Sequence, residues 1–412
     1  PHRASSSAVL AHHSAQHKRK APHELLVPVL PEPQAVRLLL SATVAASMPP
    51  WYTHDAVDNW LRFTSTSSQV VLHVDAACAV DLSMSQARDV QRDGPSLPKE
   101  WLWLWKGDAR ARVHVNPTRL HTARRTGSLL VAHLHNFMYG MRQLQPDDTP
   151  GPLSTEKEGR RLGFTHFVFL AVNCFFIRSG VEVYVAQRQA SLAVFTCSQG
   201  SLRPNKHHCT RERWFAALNG NRSVQTRSLV EGHFFPVPFL EEVVRTLRAM
   251  DVQGRPLRAH SNRSSYGFLS PAPDGRESLF DRLPVIPCTA EENVLPALAA
   301  QSSLLRGILS NRRSTPTEQL AWIPPVLTPN ATVDLATVRK LVAEDHSPQQ
   351  LCRASSACTT CPDRISTPQT KFLVKRVGAD VGDASKVRRL IASLPGHREG
   401  INVDGCQSAQ PV

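Results

Sequence analysis

Thr165-His-Phe-Val-Phe-Leu-Ala-Val-Asn-Cys-Phe-Phe-Ile-Arg-Ser-Gly-Val-Glu-Val-Tyr184 is the stretch whose reading decides the fold. Its apolar run is shorter than the roughly 18 residues that a membrane span requires. Asn173 breaks the run, which resumes and ends at Arg178-Ser-Gly180. β-Branched and aromatic residues closed by a turn-forming exit read as a fully buried strand of an α/β sheet. Polar groups at the carboxyl end of such a strand stand where α/β sheets bind ligands. Asn173 and Arg178 therefore either face a substrate or, more plainly, cap a turn and a solvated strand end. The stretch holds no carboxylate before Glu182, so a general base has to come from elsewhere in the chain.

Working outward, the flanks alternate between strand and helix patterns. Ala35 to Ala45 reads as a strand or a buried helix. Thr53 to Arg62 reads as a helix capped by Thr53, with Val57, Trp60 and Leu61 on one face. Gln69 to Asp75 is a short apolar strand closing on His73-Val-Asp75, and Val113 to Pro117 is another, stopped by proline. Leu129 to Tyr139 reads as a helix. Downstream, Pro238 to Arg248 is an amphipathic helix, and Ala290 to Ala300 a helix kinked at Pro296. Lys371 to Val377 reads as a strand and Asp383 to Leu394 as a helix. This alternation predicts βαβ units and a mostly parallel sheet flanked by helices, hence the α/β class. The chain divides into a basic tail (1–34), a folded core (35–300) and a Pro/Ser/Thr-rich loop region (301–370). A strand and helix (371–395) complete the domain, and a second tail follows (396–412).

The chain has 412 residues, 41% hydrophobic and 20% charged, which is ordinary for a globular protein. Its net charge of +14 attracts polyanions in general, whether nucleic acid, an anionic membrane surface or a nucleotide diphosphate. The basic residues are spread along the chain without the interleaved aromatics of single-strand binders, so nucleic acid is not the expected partner. Nine cysteines form no regular framework and allow at most four disulfides. Asn-X-Ser/Thr sites at Asn221, Asn262 and Asn330 permit a secretory route without demanding it.

Several short motifs carry chemistry. Asp75, with His73 two residues before it, ends a strand where an acid can contact a ribose or base. Asp147-Asp148 sits in a turn composition that argues against a metal site. Glu231-Gly-His-Phe-Phe-Pro236 places one carboxylate beside an aromatic pair. A partly apolar pocket there raises a carboxyl pKa toward neutrality and suits a general base. Glu291 and Glu292 are the alternative acids, although acids in a first helical turn also simply favour the helix dipole. Cys358-Thr-Thr-Cys361, with Cys352, lacks the partners of a zinc site, and the His12-His13 pair reads as part of a solvated tail. Lys371, Lys375 and Arg376 can neutralise a diphosphate directly.

Taken in order, these pieces form one pattern. It runs through His73-Val-Asp75, Val115-Asn-Pro117, Ala132-His-Leu-His-Asn-Phe137, Thr165 to Tyr184, Glu231 to Pro236, Glu291-Glu-Asn-Val-Leu-Pro296 and Phe372-Leu-Val-Lys-Arg-Val377. Over roughly residues 35–395 the chain resembles the core-2/I-branching β-1,6-N-acetylglucosaminyltransferase-like glycosyltransferases, as a divergent branch. That resemblance implies a GT-A-like nucleotide-sugar-binding domain, with Thr165–Tyr184 as its central strand, and inverting transfer of a sugar to an acceptor hydroxyl. A carboxylate deprotonates the acceptor, and basic side chains, with no metal and no cofactor, stabilise the departing diphosphate.

Carried over residue by residue, Glu231 is the base, with Glu291 or Glu292 as alternative. Asp75, His73, Asn173, Arg178, Lys371, Lys375 and Arg376 bind the nucleotide sugar. His133, Asn136 and His233 line the acceptor pocket. The expected partners are a nucleotide-sugar donor and a glycan or other hydroxyl acceptor. For a eukaryotic chain the resemblance implies the Golgi or secretory pathway, with membrane attachment only through an N-terminal anchor outside this sequence. The apolar Cys174-Phe-Phe-Ile177 departs from the longer polar segment of several family members, which leaves the acceptor open. The competing expectations are a non-catalytic binder of an anionic polymer, including sulfated glycan, and a transferase-like domain without turnover.

Overall fold

A strand buried at every position but Thr43, Leu38–Val44 (β1), anchors a sheet whose two faces carry separate apolar cores. The structure is a computed structural model that describes residues 36–77, 111–123, 126–144, 163–191, 195–197, 209, 212–218, 225–227, 231–257, 276–305, 320–322, 332–343, 371–379 and 382–396. The expected tails (apart from Gly396), His12-His13, Asp147-Asp148, the three glycosylation sites and Cys352, Cys358 and Cys361 lie outside these residues.

In chain order, β1 is followed by α1 (Pro50–Phe63), β2 (Gln69–Val74), β3 (Val113–Val115) and α2 (Ser128–Gln143). Next come β4 (His166–Ala171), β5 (Cys174–Phe176), α3 (Val181–Arg188), β6 (Phe195–Cys197), α4 (Arg213–Leu218), β7 (Gln225–Arg227) and β8 (Phe234–Pro236). Then follow α5 (Val237–Arg248), α6 (Leu279–Arg282), α7 (Ala290–Ala299), β9 (Ala321–Trp322), α8 (Leu335–Ala343), β10 (Leu373–Lys375) and α9 (Asp383–Ser393). The main sheet has the order β3-β2-β1-β4-β8, all parallel except β8, which runs antiparallel to β4. This is the α/β class, with a mostly parallel mixed sheet flanked by helices.

Alternation along β1 sends Leu38, Leu40, Ala42 and Val44 to one face and Leu39 and Ser41 to the other. On the first face pack α1, α3, α8, α9 and a small sheet of order β5-β10-β9. On the second pack α2, α4, α5, α6 and α7. Pro50 stands at the first helical position of α1, where its missing N–H costs nothing and its φ suits the helix. Tyr52, Ala56, Trp60 and Phe63 then form the buried stripe. The Trp60 indole donates to the Cys174 carbonyl at 2.7 Å, and Asn59 exchanges two hydrogen bonds with the backbone of Phe176. The second sheet is thereby tied to α1. Cys209 and Cys288, both fully buried, form a disulfide on the other face.

The structure corrects two expectations. Thr165–Tyr184 is not one central strand. It divides into β4, a turn at Val172-Asn173, β5 in the second sheet and the first turn of α3. Asn173 breaks the first ladder, and Gly180 at φ 87° takes the left-handed conformation that redirects the chain into α3. The centre of the sheet is β1, with β4 beside it. Thr53 does not cap α1, because Pro50 starts the helix three residues earlier and leaves Thr53 buried inside it. Among its described residues, the region 301–370 contains β9 and α8.

Candidate functional site

From β1 the chain crosses over α1 to β2 and β3 on one side, then returns over α2 to β4 on the other. The two crossovers cover opposite faces, so β1 and β4 flank a topological switch point, where open α/β sheets leave a crevice at their carboxyl ends. The antiparallel β8 delivers Glu231-Gly232-His233 to that same edge, since its amino end lies against the carboxyl end of β4. The Gly232 N–H donates to the Phe169 carbonyl at 2.8 Å, and the Phe169 N–H to the His233 carbonyl at 2.9 Å. β10 arrives from the second sheet, with Lys375 in register with Cys174 and the Val377 N–H donating to the Asn173 carbonyl.

This convergence brings Glu231 and Lys375, far apart in sequence, into a direct ion pair. Side-chain accessibility is 28% for Glu231 and 14% for Lys375, so the pair is partly withdrawn from water. Burial pushes the Glu231 carboxyl up. The Lys375 ammonium, by charge and hydrogen bond, outweighs this with help from the Glu231 backbone N–H, and the net shift is downward. The expected rise toward neutrality is thus overturned, because Lys375 sets beside the carboxylate a cation that an isolated apolar pocket lacks. Cys174 lies near the pair, and burial raises its thiol to about 12.

His133 and His233 approach the same carboxylate. Both are almost fully buried, and burial holds each ring down at about 3 although the Glu231 charge opposes it. Both rings are neutral at physiological pH. His133 packs edge-on against Phe169, and His233 against Phe235. Behind them runs a buried polar network. Asn136 donates to the Ser41 hydroxyl and to the carbonyls of Ala42 and Val71, while Asn116 donates to Asn136 and Ser41 meets the His133 Nδ1 at 2.8 Å. Sequence reading missed Ser41, although a polar residue in the middle of the apolar run Leu38–Val44 was the available signal.

The other expected residues have distinct surroundings. Asp75 ends β2, about 10 Å from β4 by strand spacing. Its oxygens accept hydrogen bonds from the backbone N–H groups of Ala77 and Thr122, the Thr122 hydroxyl and His121. Burial raises this carboxyl, but those hydrogen bonds outweigh it and the net shift is downward. In this arrangement the carboxylate holds the loop of residues 116–123 over the strand end. His73 is fully buried beneath the same loop, with Nε2 against the Leu120 backbone. The Arg178 guanidinium donates to the Leu341 carbonyl in the last turn of α8, where a cation suits the helix end.

Arg376, beside Lys375, takes φ 66°, a left-handed conformation costing about 1 kcal/mol or more for a side-chain-bearing residue. Its Nη1 is buried with no hydrogen-bond partner among the described residues. Lys371 lies near enough to His233 to disfavour its protonated form. Asn173 occupies the turn between β4 and β5. Glu291 and Glu292 stand in the first turn of α7, on the second face of the sheet, where negative charge meets the positive end of the helix dipole.

A cavity of about 480 Å³ opens elsewhere, between α1 and α9, lined by Asp55, Asp58, Arg62, Phe175 and Arg388 among others. None of the expected site residues lines it. Among the described residues no group of three or more His, Cys, Asp or Glu is arranged to hold a metal ion. No helix among them is long and apolar enough to cross a membrane. Against known proteins, no family model matches the chain and no curated protein matches it in sequence.

Proposed function

We propose that the chain is a glycosyltransferase with a GT-A-like domain, transferring a sugar from a nucleotide-sugar donor to an acceptor hydroxyl with inversion. The observation that carries this reading is the Glu231–Lys375 ion pair at the carboxyl edge of the switch point, flanked by two neutral histidines. A base and a cation at one edge are the two groups that displacement at an anomeric carbon requires.

In this mechanism the acceptor oxygen attacks the anomeric carbon while the bond from that carbon to the diphosphate oxygen breaks. The bonding pair leaves with the diphosphate, whose charge is met by Lys375 and Arg376, and Glu231 takes the acceptor proton. A carboxylate held by Lys375 is ionised but a poor base. A diphosphate drawing the ammonium toward itself removes the main influence lowering the Glu231 pKa and leaves the burial that raises it. Donor binding thus switches on the base. Metal independence belongs to the same proposal, because Lys375 and Arg376 supply positive charge where a cation would otherwise serve.

The test is a nucleotide-sugar screen that reads release of nucleoside diphosphate, with and without a chelator. Release that depends on an added hydroxyl acceptor and survives chelation is expected. Loss of release in chelator removes the metal-free mechanism. Salt-sensitive binding to a sulfated polymer with no turnover on any donor replaces the transferase with a polyanion binder, to which the net charge of +14 would then belong.

A further inference from the structure

The hydrogen bonds behind His133 determine which ring nitrogen carries its proton. The Thr118 N–H donates to Asn116 Oδ1 at 2.9 Å, so the other end of that amide, Nδ2, is the donor that reaches Asn136 Oδ1 at 3.1 Å. The Asn136 amide is thereby oriented with its NH2 toward the sheet. The same orientation is demanded by the carbonyls of Ala42 and Val71, at 3.2 and 3.1 Å, which can only accept. That NH2 also lies 3.0 Å from Ser41 Oγ. Ser41 is fully buried, and among the described residues its hydroxyl proton has one acceptor within reach, His133 Nδ1 at 2.8 Å. A proton on Nδ1 would set two N–H donors against one oxygen and leave the buried hydroxyl proton without a partner. Such an orphan costs about 1–3 kcal/mol. The ring proton therefore sits on Nε2.

We propose that His133 is locked as the neutral Nε2–H tautomer and serves as a permanent hydrogen-bond donor to an oxygen of the ligand bound beside Glu231, not as a group that transfers protons. The lock stands on the network alone, and the ligand oxygen rests on the glycosyltransferase reading. The charged and titratable groups facing the ring are Glu231, before β8, and His73, on β2. The first favours the imidazolium and the second disfavours it, while burial keeps the ring neutral. A fixed donor needs no proton uptake when the ligand arrives, so it orients an acceptor hydroxyl or a ring oxygen toward the carboxylate at constant strength. Such a donor selects ligands that present a lone pair there and rejects those that present only N–H.

The test is long-range proton–nitrogen NMR on the ¹⁵N-histidine-labelled protein, with His133 assigned by its loss in His133→Gln. The expected pattern has Nδ1 unprotonated and Nε2 protonated, unchanged between about pH 5 and pH 8. Ser41→Ala, which removes the donor to Nδ1, is expected to mix the two tautomers. A ring protonated on Nδ1, or one that titrates in that range, overturns the lock whatever the activity. For the ligand role, His133→Phe keeps bulk and loses the donor, and its kcat is expected to fall about 100-fold. His133→Gln returns an N–H near Nε2 and is expected to recover at least tenfold of that loss, with the wild-type pH profile. Thermal unfolding of both variants separates this from misfolding. Wild-type turnover in folded His133→Phe overturns the donor role. If the wild-type protein turns over no nucleotide sugar, the functional reading fails, while the nitrogen pattern still decides the lock.

Discussion

At the scale of single residues, Glu231 and Lys375 make the sharpest claims. Exchanging Glu231 for Gln removes the proposed base and leaves an ammonium that is only 14% accessible without its partner. Turnover is expected to fall by about 10²–10⁴-fold, and stability by about 2–4 kcal/mol. Product release and denaturant unfolding measure the two effects separately. The pH dependence has a definite sign. Glu231 ionises more readily in the folded chain than its ordinary 4.5, so the pair stabilises fully above that value and loses its effect as pH falls through the folded pKa. The stability gap between wild type and Glu231→Gln is therefore expected to be constant near neutrality and to narrow in acid. A gap that stayed constant down to about pH 3 would show that the carboxylate charge is not what stabilises the site.

At Glu231 the sequence predicts the wrong electrostatics. An acid beside Phe234-Phe235 was assigned a raised pKa, yet its ionisation depends on a lysine 144 positions away (375 − 231), which only folding delivers. The same gap explains Asp75 and Arg178. Both were legible as polar strand ends, and both are engaged by segments remote in sequence, the loop of residues 116–123 and the end of α8.

At the scale of elements, the close approach of α2 to its neighbours decides where His133 and Asn136 stand. Gly127 precedes α2, and a Cβ there would fall on the backbone carbonyl of Leu283. Backbone yields less readily than the end of a side chain. Gly127→Ala is therefore expected to destabilise the fold by about 1–3 kcal/mol and to disturb the His133 tautomer signal by shifting the first turn of α2. Unfolding curves together with the His133 nitrogen shifts read both. Unchanged values in both would mean that the contact relaxes without moving α2.

Periodicity made α1, α2, α5 and α9 legible, because each carries an apolar stripe that one sheet face buries. It failed at Thr165–Tyr184 for an equally physical reason. The break at Asn173 is visible in the sequence, but the apolar run resumes at once, and periodicity cannot show that Cys174–Phe176 pairs with β10 in a second sheet.

At the scale of the whole molecule, the second core is cross-linked by Cys209–Cys288, which closes a loop spanning 79 residues. Replacing both cysteines by serine is expected to lower stability by about 2–5 kcal/mol. Thermal unfolding with and without reductant measures it: reductant should lower the midpoint of the wild-type protein and leave that of the double variant unchanged. The alternation of strand and helix patterns by itself determined the α/β class, because binary patterning is local and each face of a sheet demands its own apolar set. It also marked Glu231 beside an aromatic pair, Lys375 in a basic cluster, and His133 and Asn136 as polar residues inserted in an apolar helix. Only the tertiary structure decided that β1 and not β4 is central, that Glu231 is paired, and that Ser41 backs His133. Those facts depend on strand order and on contacts between distant segments, and nothing in local spacing encodes which distant side chain will meet a given carboxylate.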